Sequence, residues 1–192
     1  MGISEFRYST GAMQRPPRPA SSSSTPAIGV LNNAGVAFRT HTFDNALTAG
    51  DHGFGKAAAH ALGVDEARVF KTLLVSIHGL VSIHGDRDER RRHAVGIVPV
   101  SGSLSLKAMA TALDVKRVEM LDAPSAERLT GYVVGGISPF GQRTRLSTVI
   151  DSSAFDHETI FVSGGKRGLD VEITPNDLLQ ILQATSAAIQ DR

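Results

Sequence analysis

A chain of 192 residues with 41% hydrophobic content is long enough to bury one real core, and nothing in it calls for a second domain. It has no cysteine, which excludes disulfides and thiolate metal ligation, so any nucleophilic thiol must come from a substrate. The formal net charge is +1, no apolar run nears the roughly 20 residues of a bilayer span, and no apolar signal core opens the chain; a soluble, cytoplasmic protein is expected.

Residues 1–24 hold Arg15-Pro16-Pro17-Arg18-Pro19-Ala20 followed by a run of four serines, and are predicted to form a disordered tail with little to bury. The tail takes three arginines and one glutamate, so residues 25–192 keep 17 basic and 18 acidic side chains, net −1. A domain of that charge can bind RNA only through a local patch.

The domain at 25–192 opens with Thr25 as cap and Pro26 as first residue of a short helix ending near Gly35; Phe38 to Phe43 then alternates as a strand. Lys56 to Leu62 reads as a helix, Val69 to Ile77 as a largely buried strand, and Ala94 to Val100 as its partner across a polar tip. At that tip Val75-Ser76-Ile77-His78-Gly79 recurs as Val81-Ser82-Ile83-His84-Gly85, an even period that lengthens a hairpin without reversing its faces. Ser103 to Leu113 and Ser125 to Leu129 are predicted helices, and Thr148–Ile150, Thr159–Ser163 and Leu169–Ile173 predicted strands. Thr174-Pro175-Asn176-Asp177 should cap a last helix that turns Leu178, Ile181, Leu182 and Ile189 to the core. Strands dispersed without strict βαβ alternation indicate an α/β domain.

Three segments stand out as chemistry. Val162-Ser163-Gly164-Gly165-Lys166-Arg167-Gly168-Leu169-Asp170 puts glycines and two cations between strands, suited to a phosphate or carboxylate. Thr130-Gly131-Tyr132-Val133-Val134-Gly135-Gly136-Ile137-Ser138-Pro139 is a glycine-rich loop with a rigid stop, and Phe70-Lys71-Thr72-Leu73-Leu74-Val75 sets a lysine at the entry of an apolar strand. Together, from about Thr25 to about Ile189, these segments resemble the bacterial YbaK/EbsC family, editing hydrolases that remove cysteine from cysteinyl-tRNA(Pro). The resemblance implies a curved, barrel-like mixed sheet surrounded by helices, and as partners the acceptor end of tRNA(Pro) and a prolyl-tRNA synthetase.

Lys71 could simply snorkel to water from a strand end, or hold a phosphate or hydroxyl of an RNA end and steady charge on an ester carbonyl; by resemblance it is the family's essential lysine. The glycine loop could be a plain turn between two strands or an amide-lined pocket, and the resemblance favours the latter, with Gly135 and Gly136 first and Gly131, Ile137 and Pro139 beside them. Ser163 lacks a Gly-x-Ser-x-Gly setting and a sequence-placed His–Asp pair, so hydrogen bonding to substrate suits it better than nucleophilic attack. Asp170 could bind substrate or tie loop amides, and by resemblance both it and Ser163 are pocket residues. Phe43 and Phe54 stand where the family has a tyrosine and a phenylalanine near the terminal adenosine; either could pack in the core or stack a base. Thr72, Gly164, Gly165, Lys166 and Arg167 complete the expected substrate-binding set.

The seven histidines lack ligand spacing, so no metal or other cofactor is expected. With neither protein nucleophile nor metal in view, the family's chemistry is implied: the cysteinyl thiol attacks its own carbonyl while the pocket positions the group. The alternatives are a deacylase for alanyl or another small aminoacyl ester, and a non-catalytic module holding an RNA 3′ end.

Overall fold

The computed structural model describes residues 24–44, 53–78 and 89–191. Thr25 accepts the Ile28 N–H and Pro26 supplies a preset φ, so α1 runs Pro26–Ala34. There follow β1 (Arg39–Thr42), α2 (Gly53–Leu62), a 3-10 turn at Glu66–Arg68 and β2 (Val69–His78). Next come α3 (Glu89–Arg92), β3 (His93–Pro99), β4 (Ser103–Leu104), α4 (Leu106–Ala112), β5 (Arg117–Met120) and α5 (Ala123–Thr130). The chain continues through β6 (Ser147–Asp151), β7 (Ile160–Lys166), β8 (Leu169–Ile173), α6 (Pro175–Leu182), β9 (Thr185–Ala187) and β10 (Gln190–Asp191).

Strands β1-β8-β7-β2-β3-β6-β9 form one mixed sheet in that order, with β5 also on β2. Strand alternation divides its side chains between two layers. On one face Phe70, Leu74, Ile97, Ile160, Val162 and Val171 meet Leu31 of α1, Leu129 of α5 and Leu178 of α6. On the other, Val75, Val98 and Val149 meet Met109 of α4, while Val69 and Phe161 meet Ala58 and Ala59 of α2. Leu31 and Leu178 are both 0% exposed, and full burial of a leucine contributes about 1.5–3 kcal/mol, enough to fix each helix.

The pairing of β2 creates the site. One edge is paired to β3 continuously from Phe70 to Ser76. The other meets β7 only at Val69 and Phe70, and β5 only from Val75 onward. Lys71 to Leu73 therefore have no strand partner along that edge. The Leu121 N–H donates to the Leu74 carbonyl at 3.0 Å, so the peptide groups of Leu74, and by alternation those of Thr72, face the gap.

Several expectations shift. The predicted helix at Ser103–Leu113 begins only at Leu106, because Ser103 and Leu104 pair with Asp191 and Gln190. The last helix stops at Leu182, where Gln183 takes φ 51°, so Ile189 does not ride on it. Ile189 is still fully buried, with its N–H given to the Asp151 carboxylate at 2.7 Å. The glycine loop joins helix α5 to β6, not two strands. β5, β9 and β10, too short to show a period, were not anticipated. The tail to residue 23, His52, the second repeat unit Val81–Gly85 with His84, and Asp86–Asp88 of the charged tip lie outside the described residues.

Candidate functional site

A cavity of about 450 Å³ opens at the β2 gap and is lined from both faces of the sheet. Its polar end holds Lys71, Lys56, Ser163 and Asp170, with the first turn of α2 from Gly53 to Lys56 along one side. The N–H groups of a helix's first turn have no acceptor within the helix, so this wall suits negative charge. Lys71 Nζ donates to the Gly102 carbonyl at 2.6 Å. Partial burial, and then the nearby Lys56 ammonium, push the Lys71 pKa below its ordinary value. Lys56 is itself paired with Glu66 at 3.3 Å.

Ser163 and Asp170 stand directly opposite in the β7–β8 ladder, which puts their side chains on one face. Asp170 is 7% exposed, and burial raises its pKa to about 6 against the opposing influence of His41, its cross-strand neighbour in β1. Ser163 Oγ accepts the Gly165 N–H at 3.3 Å. His41 Nε2 lies 3.0 Å from Glu172 Oε2, and Glu172 accepts from Thr159 at 2.7 Å, a polar strip leading from the cavity to the outer strand.

The other end is apolar. Phe70, Leu74, Leu121, Ala126 and Ile137 line it, with Thr72 between Phe70 and Leu74 on the same strand face. At the mouth, three elements meet on one ring. The Arg167 guanidinium carbon lies 4.6 Å from the Phe54 centroid, and its Nε donates to the Val134 carbonyl at 2.9 Å. On the ring's account Gly135 must be glycine: at φ 86° a Cβ there would lie 2.8 Å from Phe54 carbons.

Of the expected residues, the cavity brings together Phe43, Phe54, Lys71, Thr72, Gly135, Ile137, Ser163, Arg167 and Asp170. The others sit elsewhere. Gly131 caps α5, with its N–H given to the Glu127 carbonyl at 2.8 Å. Gly136 is packed on the β7–β8 hairpin: a Cβ would lie 2.9 Å from Arg167 N and from Lys166 Cα, and its N–H already goes to the Val133 carbonyl at 2.9 Å. Gly165 lies against Tyr132 and Thr25, Gly164 accepts the Thr25 hydroxyl at 2.5 Å, Pro139 is buried, and Lys166 is exposed away from the lining. Sequence reasoning missed Lys56, Val100, Met120 and Leu121. Only the Gly-Phe-Gly-Lys run 53–56 gave a hint, as a glycine-flanked ring followed by a cation. Among the described residues, no three histidine or carboxylate side chains cluster as metal ligands, and no helix is long and apolar enough to cross a membrane.

The chain is similar to known proteins over most of its length. A protein of Enterococcus faecalis, provisionally named as the Cys-tRNA(Pro)/Cys-tRNA(Cys) deacylase EbsC, is 30% identical over 165 residues, covering 86% of this chain and 92% of its own. A solved structure provisionally described as a trans-editing enzyme for prolyl-tRNA synthetase superposes with a TM-score of 0.72 at 19% identity, over 89% of this chain and all of the other. A second, described as hypothetical protein APE2540, gives 0.70 at 20% identity over 87% of this chain and all of its own. These two show the fold. The family model for the aminoacyl-tRNA editing domain matches residues 55–181, and the chain belongs to that family.

Proposed function

We propose that this protein hydrolyses the ester of mischarged tRNA(Pro), with cysteinyl-tRNA(Pro) as preferred substrate. The observation that carries the reading is the two-ended cavity, cationic and carboxylate-bearing at one end and small and apolar at the other. A 3′-aminoacyl adenosine has matching parts. Lys71, with Lys56 and the first turn of α2 nearby, faces the phosphate and ribose, and Asp170 with Ser163 the α-amino group and ester. The Arg167 guanidinium lies over the Phe54 ring and Gly135 packs closely on the same ring, so a base entering here can stack on the guanidinium plane.

The described cavity wall has no histidine beside Ser163, and the lone Ser163 hydroxyl lacks an activating base of that kind. The cysteinyl thiol then supplies the nucleophile: sulfur bonds to the ester carbonyl, the ribose oxygen leaves with a proton, and a thiolactone is released that water opens. The Gly135 loop and Lys71 steady the oxyanion. A prolyl-tRNA synthetase is the partner this editing activity would serve.

A second reading is favoured by Asp170. A buried carboxyl with a pKa near 6 is poised as a general base, and could activate water against alanyl or another small aminoacyl ester. The decisive assay is amino-acid release from matched mischarged tRNA(Pro) by the purified protein. Release of cysteine above that of alanine supports the first reading and the reverse order the second. Tight RNA-end binding without release would make this a binding module.

A further inference from the structure

Among the described residues, Thr72 Oγ1 is the single buried side-chain polar atom without a hydrogen-bond partner, and Thr72 is only 9% exposed. Buried hydroxyls are nearly always paired, because an unmet one forfeits its hydration for nothing. The local surroundings give it no easy relief. On its strand face it stands between Phe70 and Leu74, opposite Ile97 of β3, in the layer that Ala126 and Ile137 complete. Valine has the same shape and would fill this position without an orphaned oxygen. Thr72 is one of the residues that line the cavity, on the sheet face of its apolar end.

We infer that Thr72 is the specificity residue for the aminoacyl side chain: its hydroxyl accepts the hydrogen of a side-chain S–H or O–H. The inference rests on the proposed deacylase reading and gives its pocket a selection rule. An α-ammonium is a poor occupant of this end. It would be stripped of water among Phe70, Leu74 and Ile137, whereas the Asp170 carboxyl lies on the opposite sheet face, at the polar end. A neutral side chain of one carbon and one polar hydrogen fits the small wall of Ala123 and Ala126 and satisfies the orphaned oxygen. Alanine leaves it unmet, and a site built to pair a polar group rejects an analogue lacking it more strongly than a purely apolar pocket can. Recognition by Thr72 thus separates cysteine and serine from alanine. The greater nucleophilicity of sulfur then separates cysteine from serine.

The test uses stable 3′-aminoacylamino-adenosine analogues carrying cysteine, serine or alanine, with binding measured by calorimetry, alongside release rates from the three matched tRNAs. The wild-type chain should bind the cysteinyl and seryl analogues about tenfold or more tighter than the alanyl one. Thr72→Val should remove that preference by weakening cysteinyl and seryl binding toward the alanyl value, and should raise the melting temperature. Thr72→Ser, which keeps the hydroxyl, should retain the preference. A preference that survives Thr72→Val, or an equal loss for all three analogues in a folded variant, overturns the assignment while leaving the deacylase reading intact. Failure of the wild-type chain to bind any analogue and to release any amino acid overturns the deacylase reading, and this assignment with it.

Discussion

Asp170 and Glu172 lie two residues apart on β8, on one face, and titrate in opposite senses. Burial holds the Asp170 carboxyl up to about 6, whereas the Thr159 hydroxyl first, and then His41, hold Glu172 below its ordinary value. A raised carboxyl pKa means the folded chain binds a proton more tightly than the unfolded one, whose aspartate titrates near about 3.9. The stabilisation is present below the unfolded value and is lost as pH rises through about 6. Asp170→Asn should therefore melt higher than the parent at pH 8, by on the order of 2 kcal/mol, with the gap closing toward pH 4. Thermal scans across pH check this, and a gap that is constant with pH would remove the buried charge as its cause. Glu172→Gln runs the other way: its deficit should be full at neutral pH and vanish in acid. Lys71 has no such stabilising task beyond one contact to Gly102, so Lys71→Ala should keep its fold by circular dichroism yet lose on the order of 100-fold or more in deacylation. Near-normal turnover would return Lys71 to a strand-end lysine reaching for water.

Caps and periods made the longer elements readable. Thr25-Pro26 and Thr174-Pro175 begin α1 and α6 where expected, and the apolar run of β2 declared a strand buried on both faces. Elements that depend on distant partners were not readable: β5, β9 and β10 are two to four residues long and exist because β2, β6 and β4 offer edges. The site divides the same way. Lys71, Ser163 and Asp170 are chemically conspicuous, and the structure does bring them to one cavity. The glycines were harder to sort, since a glycine that lines a pocket and one that lets two backbones touch look alike in sequence. Gly136 is of the second kind. Three backbone atoms of the hairpin at Lys166 and Arg167 lie 2.9 Å from its missing Cβ, and backbone cannot rotate away as a side chain can. Gly136→Ala should cost about 1–3 kcal/mol by denaturant titration and lower activity by shifting Gly135 at the mouth. A variant as stable as the parent would show that the loop and hairpin separate freely.

At the scale of the whole molecule, residues 25–192 are net −1 although the substrate is a polyanion, so overall field does not draw RNA in. The few cations at the cavity must do so, and binding should weaken only modestly with salt, each phosphate contact to a single strand adding a slope of about −0.7. The chemistry is then set by which atom attacks. If the substrate thiol attacks, the ratio of cysteinyl to alanyl release should climb with pH toward the ordinary thiol range of about 8–9, because the thiolate is the stronger nucleophile. If Asp170 activates water, release of either amino acid should rise through about 6 and then level, since the carboxylate is by then fully formed. Initial release rates from matched cysteinyl-, seryl- and alanyl-tRNA(Pro) between pH 5 and pH 9, with trapping of thiolactone, separate the two. Thiolactone together with a rising ratio is the expected outcome. Parallel cysteinyl and alanyl profiles that plateau above pH 6, with no thiolactone trapped, would assign the reaction to Asp170 and water and the chain to editing of small aminoacyl esters without a thiol.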